Sequence, residues 1–440
     1  MRIDWLSVRN FKCFIAREID LSRAPDALPG TGSFHLLIGE NGSGKSAVLD
    51  ALAVAISSIF SREKAFGPRR LTERDVRRKP PDQFLEEVRG VAEVQLAKPA
   101  VVHVRGEVFD HSAEWGHWFS QGKWEPVWKQ WSATATALAA ECQAILEDGP
   151  TRVLPVFCYY GTGRLHAPKS YGSPEFLPRK QRQIAYVRAA DPGSNYHEML
   201  SWFKTQEAER VQFPERSAKH ARLETVYGAV QSLLPGCQRV VYDLSRDELV
   251  VVIGERPPLP LESLSDGYRT MLAMVADLAI RAVTLNPVLG PEALTKTPGV
   301  VLIDELDLHL HPRWQRSVAG DLRRVFPSVQ FVCTSHSPQI IGEVPRTEIL
   351  DLDQAEPGPP SIARGADTNW ILDHVMGAAS RNAEAAALIE AAEDSMEQDD
   401  LTAATTAVEK LRTMMDGEDG ESVRLRSSID TLEALQRADD

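Results

Sequence analysis

Short apolar runs separated by polar turns dominate the pattern of this chain. Runs of four to eight apolar residues at 34–38, 153–160, 300–303 and 329–334 predict buried strands. Near-continuous runs of this length are typical of parallel strands covered on both faces. Between the last two runs, apolar residues recur at helical spacing from Pro312 onward, as expected for a helix that begins with proline. The pattern therefore predicts an α/β fold containing a strand–helix–strand unit.

The two ends of the sequence differ from this central pattern. The opening stretch, IDWLSVRNFKCFIAREIDLS, alternates apolar and polar residues and predicts an antiparallel hairpin. Residues 384–436 are rich in Ala, Glu and Leu, and helical spacing predicts three helices there, the second ended by Gly417. We predict a mixed or parallel sheet, a long α/β insertion and a helical C-terminal region. The predicted divisions are a discontinuous core at 1–60 and 257–365, an insertion at 61–256 and an acidic helical region at 366–440.

The charge distribution and the cysteine content bear on the protein's possible partners and on its cellular compartment. The net charge of −13 is concentrated near the C-terminus, where residues 384–440 hold 16 acidic and five basic side chains. The remainder is close to neutral, so charge alone neither favours nor excludes a nucleic-acid partner. The five cysteines are scattered and form no Cys-x-x-Cys pair, which is typical of a reducing cytoplasm. The sequence has no apolar run long enough to span a membrane and no signal-peptide pattern at its start, so we expect a cytoplasmic protein without a membrane partner.

A glycine-rich turn follows the first apolar run. Its sequence, GENGSGKS at 39–46, fits the pattern G-x-x-x-x-G-K-[ST] and precedes a predicted helix. Backbone N–H groups of such a turn bind phosphates, assisted by the N-terminus of the helix. We predict that Lys45 reaches the β- and γ-phosphates of ATP and that Ser46 binds Mg²⁺. The predicted ATP-binding residues are Gly39, Asn41, Gly42, Ser43, Gly44, Lys45 and Ser46.

The stretch LIDELDLHLHP at 302–312 is open to two interpretations. A P-loop needs acidic residues at the end of a neighbouring strand, so Asp304 would bind Mg²⁺ and Glu305 would polarise the attacking water. Alternatively, acidic residues of this stretch would form a separate metal site with His309 and His311. We favour the first interpretation because the P-loop already requires this strand.

The order of these motifs resembles that of ABC-type ATPases. After the P-loop comes Leu264-Ser265-Asp266-Gly267-Tyr268, which is similar to the family's Leu-Ser-Gly-Gly-Gln signature but departs from it at the third and fifth residues. Then come the acidic strand and TSH at 334–336. The resemblance implies that the signature residues Ser265, Asp266 and Gly267 contact ATP held by a second subunit, and that His336 senses the γ-phosphate. It also implies a head-to-tail dimer or larger assembly with ATP between the subunits.

One motif of ABC-type ATPases, a loop that contains a glutamine, is poorly matched in this sequence. The family has a glutamine in a loop after a strand between P-loop and signature, the Q-loop. The segment PVFCYYGTGR at 155–164 stands where that loop is expected and lacks a glutamine. Thr162 and Arg164 are the candidates to replace it.

Further segments resemble a subgroup of RecF-like and OLD-like ATPases of the wider AAA group. VRNFKCF, IDELDLHLHPRWQR and TSHSPQII carry the resemblance to this subgroup. Within it, LPVFCYYGTGRLH, WFKTQE and the helical region starting at ILDHVMG look most like the ATPase subunit of Septu-type anti-phage systems, which also accompany some retrons. That resemblance implies a partner HNH nuclease that the ATPase regulates. OLD-type relatives instead carry their own Toprim nuclease, for which Asp351 and Asp353 have a metal-ligand-like spacing. We expect a strand running into a turn there and no intrinsic nuclease, because only the helical region follows.

The alternative function is a RecF-like DNA-repair ATPase that acts without a nuclease. A scaffold without ATPase activity is disfavoured because the residues expected to act on ATP are all present, namely Lys45, Ser46, Asp304, Glu305 and His336. Residues 62–89 hold nine basic and six acidic side chains, and five of the nine tryptophans fall within 114–131. The basic segment is either a solvated face or a contact for DNA or RNA. The tryptophans either pack within the insertion, which we favour, or contact a partner. The acidic C-terminal region either binds a basic nuclease or only confers solubility.

Overall fold

The four apolar runs form adjacent strands of one parallel sheet, together with a short strand from a later segment. The computed structural model describes residues 1–23, 31–60, 69–78, 96–120, 126–149, 151–164, 181–193, 196–215 and 217–439. The sheet has the order β12-β3-β11-β10-β6. Its strands are β3 (Phe34–Ile38), β6 (Val156–Tyr160), β10 (Gly299–Ile303), β11 (Val329–Thr334) and β12 (Ile349–Asp351). The predicted α/β fold class is therefore confirmed.

The opening residues form the predicted hairpin and then pair with strands from the 61–256 segment. The resulting antiparallel sheet has the order β2-β1-β4-β5, and a smaller antiparallel sheet has the order β7-β8-β9. These strands are β1 (Arg2–Phe11), β2 (Phe14–Asp20), β4 (Ala100–Val108), β5 (His111–Phe119), β7 (Cys237–Asp243), β8 (Glu248–Ile253) and β9 (Leu259–Pro260). The 61–256 segment thus supplies strands to all three of the sheets that the described residues form.

Helix α1 (Lys45–Ser57) lies between the two larger sheets. It contacts β10 and β11 of the parallel sheet and β1 and β4 of the antiparallel sheet. All of its residues except Ser46 are buried, which is the pattern of a helix enclosed on every side. The other helices of this part are α2 (Pro126–Glu147), α3 (Tyr196–Gln212), α4 (Ser217–Leu233), α5 (Asp266–Leu285), α6 (Ala293–Lys296), α7 (Pro312–Val325) and α8 (Pro338–Ile341). As predicted, α7 begins at Pro312 between β10 and β11.

Gln330 of β11 connects the parallel sheet to the start of β1. Its Oε1 accepts a hydrogen bond from the Ile3 N–H at 2.8 Å, and its Nε2 donates to the Ile3 carbonyl at 2.7 Å. The side chain is only 1% exposed, so water cannot replace these bonds if they are lost.

We expect Gln330→Ala to lower the free energy of unfolding by about 3 kcal/mol, because it leaves two buried backbone groups unpaired and opens a cavity. Urea denaturation followed by circular dichroism measures the change. Gln330→Met is the matched variant, since it fills similar volume without hydrogen bonds, and it should remain destabilised. A Met variant as stable as wild type would show that packing, not hydrogen bonding, makes this residue important.

Residues Asp367–Asp440 form a second compact unit, separate from Met1–Ala366. Its helices are α9 (Thr368–His374), α10 (Ala383–Glu397), α11 (Leu401–Met415) and α12 (Gly420–Asp439). Its core is built from Ala392, Ala404, Ala407, Val408, Leu425 and Ile429. The second predicted helix ends at Met415, two residues before Gly417: Asp416 adopts the left-handed conformation at the C-cap, and the Gly417 N–H bonds to the Arg412 carbonyl. In the part of the chain that the structure describes, no helix combines the length and apolar character needed to cross a bilayer.

Candidate functional site

Three neighbouring parallel strands bring the sequence motifs to one edge of the sheet. β3 leads into the P-loop, β11 leads into Ser335 and His336, and β10 leads into Asp304 and Glu305. The carboxyl ends of parallel strands are the usual place for a ligand site in such sheets. The P-loop, the acidic pair and the candidate sensor histidine are therefore grouped at this edge.

The P-loop has the backbone conformation that its glycines allow. Gly39, Gly42 and Gly44 have φ values of 139°, 93° and 101°, a region that other residues rarely adopt. Gly44 also has no room for a side chain, because an added Cβ would lie 2.2 Å from Phe14 Cζ. This loop leads directly into α1, whose N-terminus favours an anion.

Lys45 is buried and is held by the loop itself. Its Nζ donates to the carbonyl oxygens of Gly39 and Glu40, each at 2.8 Å. Burial lowers the pKa of Lys45, while the carboxylates of Asp353, Asp304 and Glu305 act in the opposite direction. The hydroxyl of Ser43 is buried without a hydrogen-bond partner. A cradle with an ammonium group and an unpaired buried hydroxyl fits a phosphate group.

The acidic pair is fixed by Thr334 at the end of β11. The Thr334 hydroxyl donates to Asp304 Oδ1 at 2.6 Å and accepts a bond from the Glu305 N–H at 2.7 Å. Glu305 has a φ of 50°, and a non-glycine residue in this strained region is common at functional sites. The carboxylate of Asp304 and the hydroxyl of Ser46 are oxygen donors of the kind that Mg²⁺ prefers, so the residues fit that ion.

The two histidines of the alternative metal site, His309 and His311, lie at the surface after this strand. His311 is exposed, and its Nδ1 accepts a bond from the Arg313 N–H at the start of α7. His309 is exposed with a φ of 63°. Among the described residues, no group of three or more His, Cys, Asp and Glu side chains is arranged to hold a metal ion. The geometry of these residues therefore gives no support to the alternative metal site.

Arg164, one of the two Q-loop candidates, lies directly against the acidic pair. It is 5% exposed, and its guanidinium donates to the carbonyl oxygens of Asp304 at 2.6 Å and Glu305 at 2.8 Å. Burial lowers the pKa of Arg164 to about 10, and the carboxylates of Glu305, Asp304 and Asp307 oppose that change. The other candidate, Thr162, is exposed.

Asp307 connects the loop after β10 to the loop after β11, a contact that the sequence did not indicate. Its Oδ1 accepts bonds from the Ser335 hydroxyl at 2.6 Å and the His336 N–H at 3.3 Å. His336 is thus held beside the acidic strand through its backbone.

The signature-like residues lie at the start of α5. Ser265 is the N-cap residue of this helix and is exposed, but its side chain makes no capping hydrogen bond. Asp266 is exposed and pairs with Arg269. Gly267 is buried, and an added Cβ would lie 2.4 Å from the His309 carbonyl oxygen. The loop after the acidic strand therefore packs on the signature helix of the same chain, and only glycine fits at that contact.

The surfaces predicted to serve partners are described only in part. Trp115 is fully buried and donates to the Ala55 carbonyl, Trp118 and Trp128 stack with ring centres 5.5 Å apart, and Trp131 stacks on His103. These four tryptophans make contacts within the chain, whereas Trp124 lies outside the described residues.

The basic segment is described only in part, because its residues 62–68 and 79–89 lie outside the described residues. Within 69–78, the exposed basic side chains are Arg70, Arg74 and Arg78.

Comparison with known proteins finds two family models that match separate parts of this chain. Residues 1–95 match a family described as "AAA ATPase domain", and residues 172–342 match one described as "AAA domain, putative AbiEii toxin, Type IV TA system". The retron Ec83 probable ATPase of Escherichia coli is 36% identical over 38% of this chain and 31% of its own length. The Septu protein PtuA of Bacillus mycoides is 25% identical over 76% of this chain and 38% of its own length.

The predicted resemblance to ABC-type ATPases of Septu and retron systems is therefore confirmed. The chain spans between about a third and two fifths of the length of these two relatives. Among solved structures, the SmcHead bound to the C-winged helix domain of ScpA matches with a TM-score of 0.40 and 15% identity, covering 80% of this chain and 94% of that one. The SMC head domain of Thermotoga maritima matches with a TM-score of 0.38 and 13% identity over 80% and 94%.

Proposed function

Because this chain is similar to ABC-type ATPases along its nucleotide motifs, we propose that it binds ATP with Mg²⁺ and hydrolyses it. The observation that carries the proposal is the grouping of Lys45, Asp304 and Glu305 at the ends of β3 and β10, with Thr334 between them on β11. Lys45 and the P-loop N–H groups would hold the phosphates, and Ser46 and Asp304 would hold Mg²⁺. That ion offsets phosphate charge when bound.

Hydrolysis requires a water molecule placed in line with the γ-phosphate. Glu305 is the proposed residue that polarises this water, and His336 is the proposed sensor of the phosphate. Arg164 and Thr334 hold the backbone of Glu305 from two sides, through its carbonyl and its N–H. Such preorganisation places a carboxylate without rearrangement during the reaction.

We further propose that two chains meet head to tail around ATP. Ser265 is exposed at the N-terminus of the 20-residue helix α5 and makes no capping bond of its own, so it remains able to contact the phosphate of a second chain. Each site would then combine the P-loop of one chain with Ser265, Asp266 and Gly267 of the other. Association and hydrolysis would be coupled.

Mixing two inactive variants tests this arrangement. Lys45→Ala disables the P-loop and Ser265→Arg blocks the signature, so each homodimer should be inactive. In a one-to-one mixture, half of the dimers would contain both variants and one intact site each, which restores about a quarter of wild-type phosphate release. Ser263→Arg, an equally exposed position just before the signature, is the control and should stay active. If the mixture stays inactive while wild type hydrolyses ATP, the shared site is wrong.

The biological role we propose is regulation of a partner HNH-type nuclease in anti-phage defence in the cytoplasm. The similarity to the Septu protein and to retron ATPases supports this role. Co-expression with such a nuclease should yield a complex whose DNA cleavage changes when Lys45 is replaced by Ala. If instead no complex forms and the chain alone binds DNA with an ATP-stimulated, salt-dependent affinity, a RecF-like DNA-binding ATPase is the better assignment.

A further inference from the structure

Asp353 lies beside the P-loop although it belongs to none of the nucleotide motifs. It follows β12, which pairs in parallel with β3 so that Asp351 lies opposite Ile38. The ends of the two strands therefore meet, and Asp353 Oδ2 accepts a hydrogen bond from the Glu40 N–H at 2.7 Å. The sequence suggested only a metal-ligand-like spacing with Asp351, but in the structure Asp351 ends β12 and its carboxylate makes hydrogen bonds within the turn that follows. Its Oδ1 accepts the Asp353 N–H, and its Oδ2 accepts from Gln354.

The hydrogen bond between the Glu40 N–H and Asp353 involves the peptide group that joins Gly39 to Glu40. The Glu40 N–H and the Gly39 carbonyl belong to the same peptide, and that carbonyl accepts a bond from Lys45 Nζ at 2.8 Å. One end of the peptide is thus held by Asp353 and the other by Lys45. Gly39 has no side chain to restrict this peptide, and its φ of 139° is a conformation that other residues rarely adopt. Hydrogen bonds at both ends of one peptide polarise each other and fix its orientation.

Asp353 itself is exposed, but its backbone is firmly held. The Leu352 N–H donates to the Ile38 carbonyl at 3.0 Å. The guanidinium of Arg17 on β2 donates to the carbonyls of Leu352, Gln354 and Ala355 at 2.5 to 2.8 Å. A planar guanidinium with several fixed donors suits such a cluster of carbonyls. The hairpin of the antiparallel sheet is thereby connected to the P-loop through one short turn.

We propose that Asp353 is a positioning residue of the nucleotide site, which fixes the Gly39–Glu40 peptide and so orients Lys45 for the phosphates, and that Arg17 fixes Asp353. This inference rests on the proposed ATP binding. Asp353 and Arg17 act on the P-loop, whereas Glu305 follows β10, which β11 separates from β3. Their loss should therefore weaken nucleotide binding more than it slows the chemical step.

Calorimetric titration of the full chain with MgATP, together with steady-state kinetics, tests the proposal. We expect Asp353→Ala and Arg17→Ala each to weaken binding about fivefold, the size of one lost hydrogen bond, with kcat changing less than twofold. Asp353→Asn keeps an oxygen acceptor and should bind within twofold of wild type. The double variant should be no weaker than the weaker single variant, because both changes act through one contact.

A matched control removes charge without removing the contact. Glu356 is an exposed acid of the same turn, and Glu356→Gln should bind MgATP like wild type. Wild-type affinity in Asp353→Ala, or an Asn variant as weak as the Ala variant, overturns the role of the Glu40 contact. Fully additive losses in the double variant overturn the role of Arg17. Melting temperatures without nucleotide confirm that each variant is folded. If wild type itself fails to bind MgATP, the proposed function fails rather than this inference.

Discussion

Glu305→Gln should nearly abolish phosphate release while leaving ATP binding intact. The amide keeps the size of the side chain and cannot accept a proton from the attacking water, so we expect a loss of turnover on the order of a hundredfold or more. Because the Glu305 backbone is held by Thr334 and Arg164, the substitution should not disturb the fold. Phosphate release by a coupled assay and MgATP affinity by calorimetry measure the two effects.

The same variant also reports on assembly. If hydrolysis separates the chains, Glu305→Gln should accumulate as a dimer or larger species in MgATP, as measured by light scattering after size exclusion. Glu343→Gln, an exposed glutamate beyond α8, is the control and should hydrolyse ATP and assemble like wild type. Normal turnover in Glu305→Gln would show that Glu305 is not the base, and the segment 304–311 would need a different interpretation.

The local sequence pattern was sufficient to predict those parts of the site that follow buried strands. The apolar runs before Gly39, Asp304 and Ser335 predict parallel strands, and parallel strands place their following residues at one edge. That reasoning gives the P-loop and the acidic pair together, without knowledge of side-chain contacts. The helix from Pro312 was predicted at its correct start for a different local reason, because proline favours the first helical position and the apolar residues that follow recur at helical spacing.

Contacts between residues that are distant in sequence could not be predicted from the local pattern. Thr334 reads as the last residue of a strand, and only the register of β10 against β11 places its hydroxyl between Asp304 and Glu305. Asp353 reads as a turn residue until β12 is paired with β3. The pairing of β4 with β1 joins segments about 100 residues apart, and no local pattern specifies such a partner.

Arg164→Ala should remove most of the turnover and also destabilise the protein. Arg164 is buried and donates to the carbonyls of Gly161, Asp304 and Glu305, so its loss removes three hydrogen bonds and opens a cavity. The Gly161 and Glu305 carbonyls keep bonds from backbone N–H groups, whereas the Asp304 carbonyl is left without a donor among the described residues. We expect the free energy of unfolding to fall by about 3 kcal/mol. We also expect kcat to fall on the order of a hundredfold, because the strained Glu305 backbone loses one of the two bonds to its carbonyl and the neighbouring Asp304 carbonyl loses its donor. Arg164→Lys should not restore activity, since one ammonium cannot reproduce the fork of donors.

Arg182 supplies the matched control that separates the two effects of Arg164. It is equally buried, at 6% exposure against 5%, and likewise donates to three backbone carbonyls, those of Gly149, Arg152 and Leu285. None of these belongs to the nucleotide motifs, so Arg182→Ala should lose similar stability but keep its kcat per folded molecule. Equal losses of kcat in the two variants would mean that Arg164 acts only through general stability. A loss confined to Arg164→Ala would make this arginine the positioning residue of the acidic pair, in the segment where ABC-type ATPases carry a glutamine.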